Sequence, residues 1–291
     1  MPRNGKFGDV APLVEASSGP LESAAELKGT SVVDASQFIA GDDDLVDKGL
    51  GAFVEKFGQG IPACLNSPVT RITYSEDGVV VEAAGKSYAA KTALVTVSVG
   101  VLQAKRITFP PELPTDKLRA IQSLTMGNMQ KVIIPFKADI FRGEKQNSWV
   151  LADGAFLPEE QLMADQMGLP GAQRKRHVMA FVVKPLNTNV AIGFFGRAWA
   201  QAFEAKCKGF EHGSGPRSAS GCDDLPITIA TAELGRMYGE KEVAEAIQPE
   251  GIHLTRWSLD ETSLGAYSVA LPGRWAARQP LGEPIGGGKD V

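Results

Sequence analysis

Leu50, Phe53, Val54 and Phe57 recur at i, i+3, i+4 and i+7, so the spacing predicts a helix over Asp47–Phe57 with one apolar stripe. The acidic run Asp42, Asp43 and Asp44 precedes it as a capping segment, and Gly58 and Gly60 end it. The period then shortens to two. Val69–Tyr74 is β-branched, Glu76-Asp77-Gly78 is a turn, and Val79–Glu82 returns as the hairpin partner. Lys86–Ala90 reads as a third strand after Gly85. Ala93-Leu-Val-Thr-Val97 is a continuous apolar run, as expected of a strand buried on both faces. Three prolines hold Phe109–Pro114 extended. Thr115 is placed to cap a helix over Asp116–Leu124, with Leu118, Ile121 and Leu124 facing inward.

Longer strands follow at Gln130–Phe136, Ser148–Leu151, His177–Val183 and Val190–Phe195. Glu159–Lys175 between them is polar and reads as an exposed insertion, and residues 207–224 form a Gly- and Ser-rich loop. A helix over Ile227–Tyr238 and a strand over 252–257 come next, before a Pro/Gly-rich tail from Leu271-Pro272-Gly273. Residues 1–40 read as a loosely ordered lead-in with a short helix around Leu21–Leu27. Helices and strands alternate without a strict βαβ rhythm and without an internal repeat, so the fold class is mixed α/β.

At 291 residues the chain is long enough for about two domains of ~150 residues each. The net charge of −4 lacks the basic footprint of a dedicated nucleic-acid binder. No apolar run approaches the ~18 residues of a membrane span, so the reading is of a soluble globular chain. Cys64, Cys207 and Cys222 are odd in number and form no CxxC pair, which argues against a disulfide framework and for a reducing, intracellular compartment. His177, His212 and His253 are too scattered for a metal motif. The N-terminus lacks the apolar stretch of a secretory signal.

Phosphate-binding glycine motifs are absent. Gly49-Leu50-Gly51 has Val54 where a third glycine belongs, and no strand precedes it. Gly286-Gly287-Gly288-Lys289 reads as a turn, and Gly213-Ser214-Gly215 lacks the setting of a hydrolase nucleophile. Lys131 is the anomaly, because it opens the apolar strand Lys-Val-Ile-Ile. Either its ammonium serves a function, or its stem lies on apolar surface while the head reaches solvent. Trp257 and Tyr267 flank a glycine-containing turn, where two aromatics either build core or line a site; Arg256 beside them reads equally as a surface charge.

Several segments resemble the flavin-containing amine oxidase family, which includes monoamine and polyamine oxidases. Asp44–Phe53 looks like the family's helix before the adenine-facing strand, and Leu65-Asn-Ser-Pro-Val-Thr-Arg-Ile72 like the segment whose valine backbone meets the adenine of FAD. Ala93–Leu102 followed by Ile107–Pro114 is the most specific match, departing at Ser98 where the family usually has proline. Met126–Lys131 is similar to the stretch whose lysine reaches flavin N5 through a water. Thr255–Trp257 through Tyr267-Ser268 resembles the turn that sets a tryptophan near the flavin ring and a tyrosine in the aromatic cage around the amine.

By resemblance, then, Val69 and Trp257 are cofactor-binding, and Lys131 and Tyr267 are catalytic. The cofactor is FAD, held without a covalent bond because Ala266 stands where some members carry a linking cysteine. The implied reaction oxidises an amine substrate to an imine and returns the electrons to dioxygen, giving hydrogen peroxide. The resemblance further implies an incomplete FAD-binding domain over 41–109 and 251–291, and a substrate domain over 110–250 with a mixed sheet and helices on one side. The family's GxGxxG unit and its flavin-closing C-terminal segment have no counterpart in this sequence. The expectation is therefore that this chain alone binds little FAD and is inactive. It would be completed by missing segments or by a partner chain, or else serve as a substrate-type domain in binding or assembly.

Overall fold

The computed structural model describes residues 17–37, 41, 45–152, 179–207 and 214–286. The chain divides into two compact units, Ser31–Thr125 with Ser268–Val291 and Met1–Thr30 with Met126–Tyr267. They are called here the hairpin unit and the sheet unit. The lines expected from the sequence fell at 109/110 and 250/251. Glu159–Lys175 and much of the lead-in lie outside the described residues.

The hairpin unit opens with the short helix α1 (Val32–Ala35), whose N-cap Ser31 accepts the Asp34 N–H at 3.3 Å. Helix α2 (Gly49–Phe57) forms where the apolar period predicts one. Its stripe stays in solvent, with Leu50, Phe53, Val54 and Phe57 between 56% and 78% exposed. Strands β1 (Val69–Ser75), β2 (Gly78–Ala83) and β3 (Lys86–Ala90) pair in order as an antiparallel sheet. Gly78 sits at φ +140°, where a Cβ would meet the Ala90 carbonyl oxygen at 2.6 Å, so the turn requires glycine.

The expected strand Ala93–Val97 does not form: no described strand pairs with it, and Leu94 is 90% exposed. An apolar run without a ladder partner leaves its backbone groups to water. Helix α3 (Val99–Gln103) follows, with the Ser98 hydroxyl accepting the Val101 N–H at 3.1 Å. Ser98 is thus a helix cap. The proline stretch is extended and laid on β1, where the Tyr74 N–H donates to the Pro110 carbonyl at 3.0 Å and the Tyr74 hydroxyl to that of Glu112 at 3.0 Å. Helix α4 (Thr115–Ser123) starts one residue earlier than expected, with Pro114 rather than Thr115 at the N-cap. Strand β4 (Leu124–Met126) leads out of the unit.

The sheet unit is built on β5 (Met129–Pro135), β6 (Ser148–Leu151), β7 (Ala180–Val183) and β8 (Val190–Gly196). Helix α5 (Arg197–Cys207), strand β9 (Gly215–Pro216), helices α6 (Asp224–Tyr238) and α7 (Glu240–Ala246) and strand β10 (His253–Leu254) complete it. The six strands run in the order β6-β7-β8-β5-β10-β9, every pairing antiparallel. Together with the helices they make the mixed α/β class. On β5, Gln130, Val132 and Ile134 are fully buried, while Lys131, Ile133 and Pro135 are half-buried. The buried face joins Phe195, Phe203, Ile229, Leu234 and Leu254 in one core under α5 and α6. Phe195 of β8 meets Phe203 of α5 edge-on at 4.8 Å.

Returning to the hairpin unit, β11 (Ser268–Ala270) pairs with β4, and helix α8 (Arg278–Gly282) closes the described chain. Arg278 forks onto the buried Asp34 carboxylate at 2.6 and 2.9 Å and also holds Ser268. This clamp ties α1, β11 and α8 together.

Candidate functional site

Three of the four residues singled out by resemblance sit on adjoining backbone of the sheet unit. The Lys131 N–H donates to Thr255 Oγ1 at 2.7 Å, and the Lys131 carbonyl accepts the Thr255 N–H at 3.0 Å. That pairing brings Lys131 within two residues of Trp257 along the neighbouring segment. The Trp257 carbonyl accepts the Gly265 N–H at 2.9 Å and the Ser263 hydroxyl at 2.9 Å, which closes the turn. Gly265 lies at φ +144°, and a Cβ there would meet Met126 Cβ at 2.5 Å. Only glycine fits that approach. Tyr267 then pairs with the backbone just before β5: its carbonyl accepts the Gly127 N–H at 2.7 Å, while the Ala266 N–H donates to the Gly127 carbonyl at 2.9 Å. Val69, the fourth, begins β1 of the hairpin unit, paired with Ala83.

Lys131 Nζ lies 5.3 Å from the Phe194 ring centroid, a cation–π distance. No carboxylate among the described residues pairs with it. The Tyr267 hydroxyl donates to the Glu22 carbonyl at 3.1 Å. Loss of water around the phenol, with a smaller push from the Glu22 carboxylate, takes it up to about 12, so it is neutral in the physiological range. The site thus sets a half-buried ammonium and a neutral phenol on adjoining, backbone-paired segments.

Behind these residues lies a buried polar layer that sequence reasoning missed. Glu204 of α5 is 2% exposed and accepts from Asn128 Nδ2 at 2.9 Å and from the Ser258 hydroxyl. Burial is the largest influence on its carboxyl and raises it to about 7, against the lowering effects of Asn128, Ser258 and Arg256. Arg256 is no surface charge. It is 1% exposed and donates through Nε to Asp223 at 3.3 Å, through Nη2 to the same carboxylate, and to the Pro216 carbonyl at 3.2 Å. A signal for this layer was present in the Asn of Met-Gly-Asn-Met-Gln-Lys, a polar residue inside an apolar strand opening.

Cys207 and Cys222 are joined by a disulfide, with Cα atoms 5.0 Å apart. This corrects the sequence expectation: spacing carried no hint of it, because the fold brings the end of α5 to the chain just before α6. Cys64 is exposed and free. Among the described residues the one group able to share a metal ion is Cys207, Cys222 and Asp223. Its sulfurs are bonded to each other and its carboxylate to Arg256. No described helix is long and apolar enough to cross a membrane. A cleft of about 490 Å³ in the hairpin unit, lined by Leu102, Ile107, Phe109, Leu113 and Leu118 among others, includes none of the four predicted residues.

The architecture has counterparts among solved proteins. The structure of wild-type putrescine oxidase bound to putrescine aligns with 82% of this chain and 45% of its own, at a TM-score of 0.55 and 19% identity, a likeness of fold. In sequence the chain is 29% identical over 242 residues to human Lysine-specific histone demethylase 2, covering 80% of this chain and 25% of that protein. It is 26% identical over 247 residues to Polyamine oxidase 4 of Oryza sativa subsp. japonica, covering 83% of this chain and 42% of that protein. The chain therefore spans less than half the length of either relative. The profile of the family described as "Flavin containing amine oxidoreductase" matches residues 16–172, more than half the chain. The chain belongs to this flavin-containing amine oxidoreductase family.

Proposed function

We propose that the chain supplies the amine-facing side of an FAD-dependent amine oxidase. The sheet unit would receive the amine, and the hairpin unit, through Val69, would face the adenine end of the cofactor. The observation that carries this reading is a lysine without a carboxylate partner among the described residues, held by backbone pairing beside Trp257 and Tyr267. The donor set suits a flavin: a fixed positive charge at Lys131, an aromatic wall at Trp257, and no thiol at Ala266 to form a covalent link. When bound, FAD would supply the two-electron chemistry, taking a hydride equivalent from the amine carbon, with dioxygen as the final electron acceptor. Tyr267, neutral and tied through its hydroxyl, orients the amine. Lys131 places positive charge where dioxygen takes up electrons.

The pyrophosphate cradle is supplied by other sequence, in the same polypeptide or in a partner chain. Purified chain incubated with FAD and desalted is accordingly expected to emerge without flavin colour, whereas protein expressed from the complete native transcript emerges yellow. In the yellow protein, Lys131→Met slows reoxidation by dioxygen and leaves flavin reduction by amine nearly unchanged. Unaltered reoxidation would remove Lys131 from its role, and a yellow isolated chain would refute the shared cradle.

A second reading, binding or assembly without catalysis, is favoured by the uncovered apolar residues of the hairpin unit, the α2 stripe with Leu94, Val95 and Val97. A colourless protein from the complete transcript that elutes with a partner chain would decide for it.

A further inference from the structure

We infer that Glu204 is a positioning residue that fixes, from inside the sheet unit, the segments carrying Lys131, Trp257 and Tyr267, and that it does so as the neutral acid. The roles of those three residues rest on the amine-oxidising reading above; the fixing of their segments does not.

One carboxyl oxygen of Glu204 gathers both segments. Oε2 accepts from Asn128 Nδ2 and from the hydroxyl of Ser258, and Asn128 Nδ2 also reaches Ser258 Oγ at 3.3 Å. Asn128 follows Gly127, whose backbone pairs with Tyr267, and stands three residues before Lys131. Ser258 follows Trp257 directly. A single side chain of α5 therefore pins the start of the lysine strand to the start of the tryptophan turn.

The other oxygen explains the proton. Glu204 Oε1 has no hydrogen-bond partner, and neither do Asn128 Oδ1 or the amide oxygen and nitrogen of Gln130. Gln130 is fully buried two residues beyond Asn128. A carboxylate here would place a charged oxygen in a buried setting without a donor, which is costly. A carboxylic acid instead has an O–H to offer, and Asn128 Oδ1 and Gln130 Oε1, just before and at the start of β5, are buried acceptors without a partner. The charged group facing Glu204 is Arg256, and Asp223 already matches its charge. The rise of the Glu204 carboxyl to about 7 agrees with this arrangement.

Amide hydrogen exchange of the chain, read by mass spectrometry at pH 6 and pH 8 and corrected for intrinsic rates, tests the inference without flavin. Openings that expose Glu204 return its carboxyl from about 7 to the ordinary value near 4.5. Raising the pH from 6 to 8 should then lower protection of segments 126–131 and 255–267 by about tenfold. Glu204→Gln, which donates and accepts like the neutral acid, should keep the protection at both pH values, and Glu204→Ala should lose it at both. Protection that is flat with pH in the wild type, or Glu204→Gln as loose as Glu204→Ala, overturns the inference. If Glu204→Ala does not fold, the wild type against Glu204→Gln still decides. Because the readout needs no cofactor, a chain that fails to bind FAD leaves this result standing, and a flat exchange profile leaves the Lys131→Met test standing.

Discussion

Replacing Asp223 by alanine should destabilise the sheet unit more than any surface change, and the structure gives the size of the effect. Asp223 is 0% exposed and Arg256 1%. The carboxylate takes both Nε and Nη2 of the arginine and the Ser218 N–H at 2.8 Å. Without it, the guanidinium stays buried and loses its carboxylate, keeping the Pro216 carbonyl among its acceptors. Breaking a buried pair by removing one partner costs about 3–5 kcal/mol, because an uncompensated charge stays behind. The measurement is the urea midpoint multiplied by the slope, followed by circular dichroism and by tryptophan fluorescence. Asp223→Leu combined with Arg256→Met removes both charges, so it should cost less than the two single changes added together, with a coupling of about 2 kcal/mol or more. Added salt should change the wild-type value little, since the pair lies out of reach of counter-ions. A loss below about 1 kcal/mol for Asp223→Ala, or strict additivity in the double variant, would refute the claim that this pair is buried and mutually dependent.

Four further outcomes are expected. The Arg278 guanidinium, chiefly by hydrogen bonding, holds the buried Asp34 carboxyl below its ordinary value of 3.8. A depressed acid stabilises above its unfolded value and loses that contribution as pH falls through the lower folded one. Acid titration of the hairpin unit should therefore show stability lost below about pH 4, a limb that Asp34→Asn flattens. Arg278→Ala should cost about 1–2 kcal/mol, less than a fully buried pair because the arginine is partly exposed. Gly265→Ala forces a side chain onto Met126 at a positive φ; thermal melts should show a loss of at least about 2 kcal/mol together with altered Trp257 fluorescence. Reducing the Cys207–Cys222 bond reopens a chain separation of 15 residues, and by loop entropy the urea-derived stability should fall by about 3 kcal/mol.

What could be read from the sequence was local. The three-stranded hairpin sheet was legible because alternation and turn glycines are encoded within a few residues of one another, as Gly78 illustrates. Ala93–Val97 misled because apolar composition signals burial only when a partner strand is present, and here none is described. Helix α5 went unread although its buried residues Trp199, Ala200, Phe203 and Cys207 are helically spaced. Glu204 stands in that same buried face and breaks its apolar pattern. The disulfide and the Arg256–Asp223 pair were invisible for a related reason, since each joins residues from different elements that only the finished fold brings together.

The same distinction governs the candidate site. Lys131 stood out because a lysine in an apolar strand violates a local rule, while Trp257 and Tyr267 were reached through resemblance; their convergence depends on the backbone pairs Lys131–Thr255 and Gly127–Tyr267, which no periodicity records. Strand β5 is what makes one arrangement of these facts. Its alternation turns Lys131 toward Phe194 on one face and Gln130, Val132 and Ile134 into the core on the other. A pleated strand presents successive side chains to opposite sides, so a residue exposed to chemistry is necessarily flanked by residues committed to support. In this chain two supporting residues are polar: Gln130, fully buried beside Lys131, and Asn128, just before β5, which donates to the buried acid Glu204. Rigidity of the ammonium's strand therefore depends on a hydrogen-bonded layer whose strength varies with the protonation of Glu204. An apolar residue at 204 would have held α5 in place, but it would have left Asn128 and Ser258 without their shared acceptor, and with it the link between the lysine strand and the tryptophan turn.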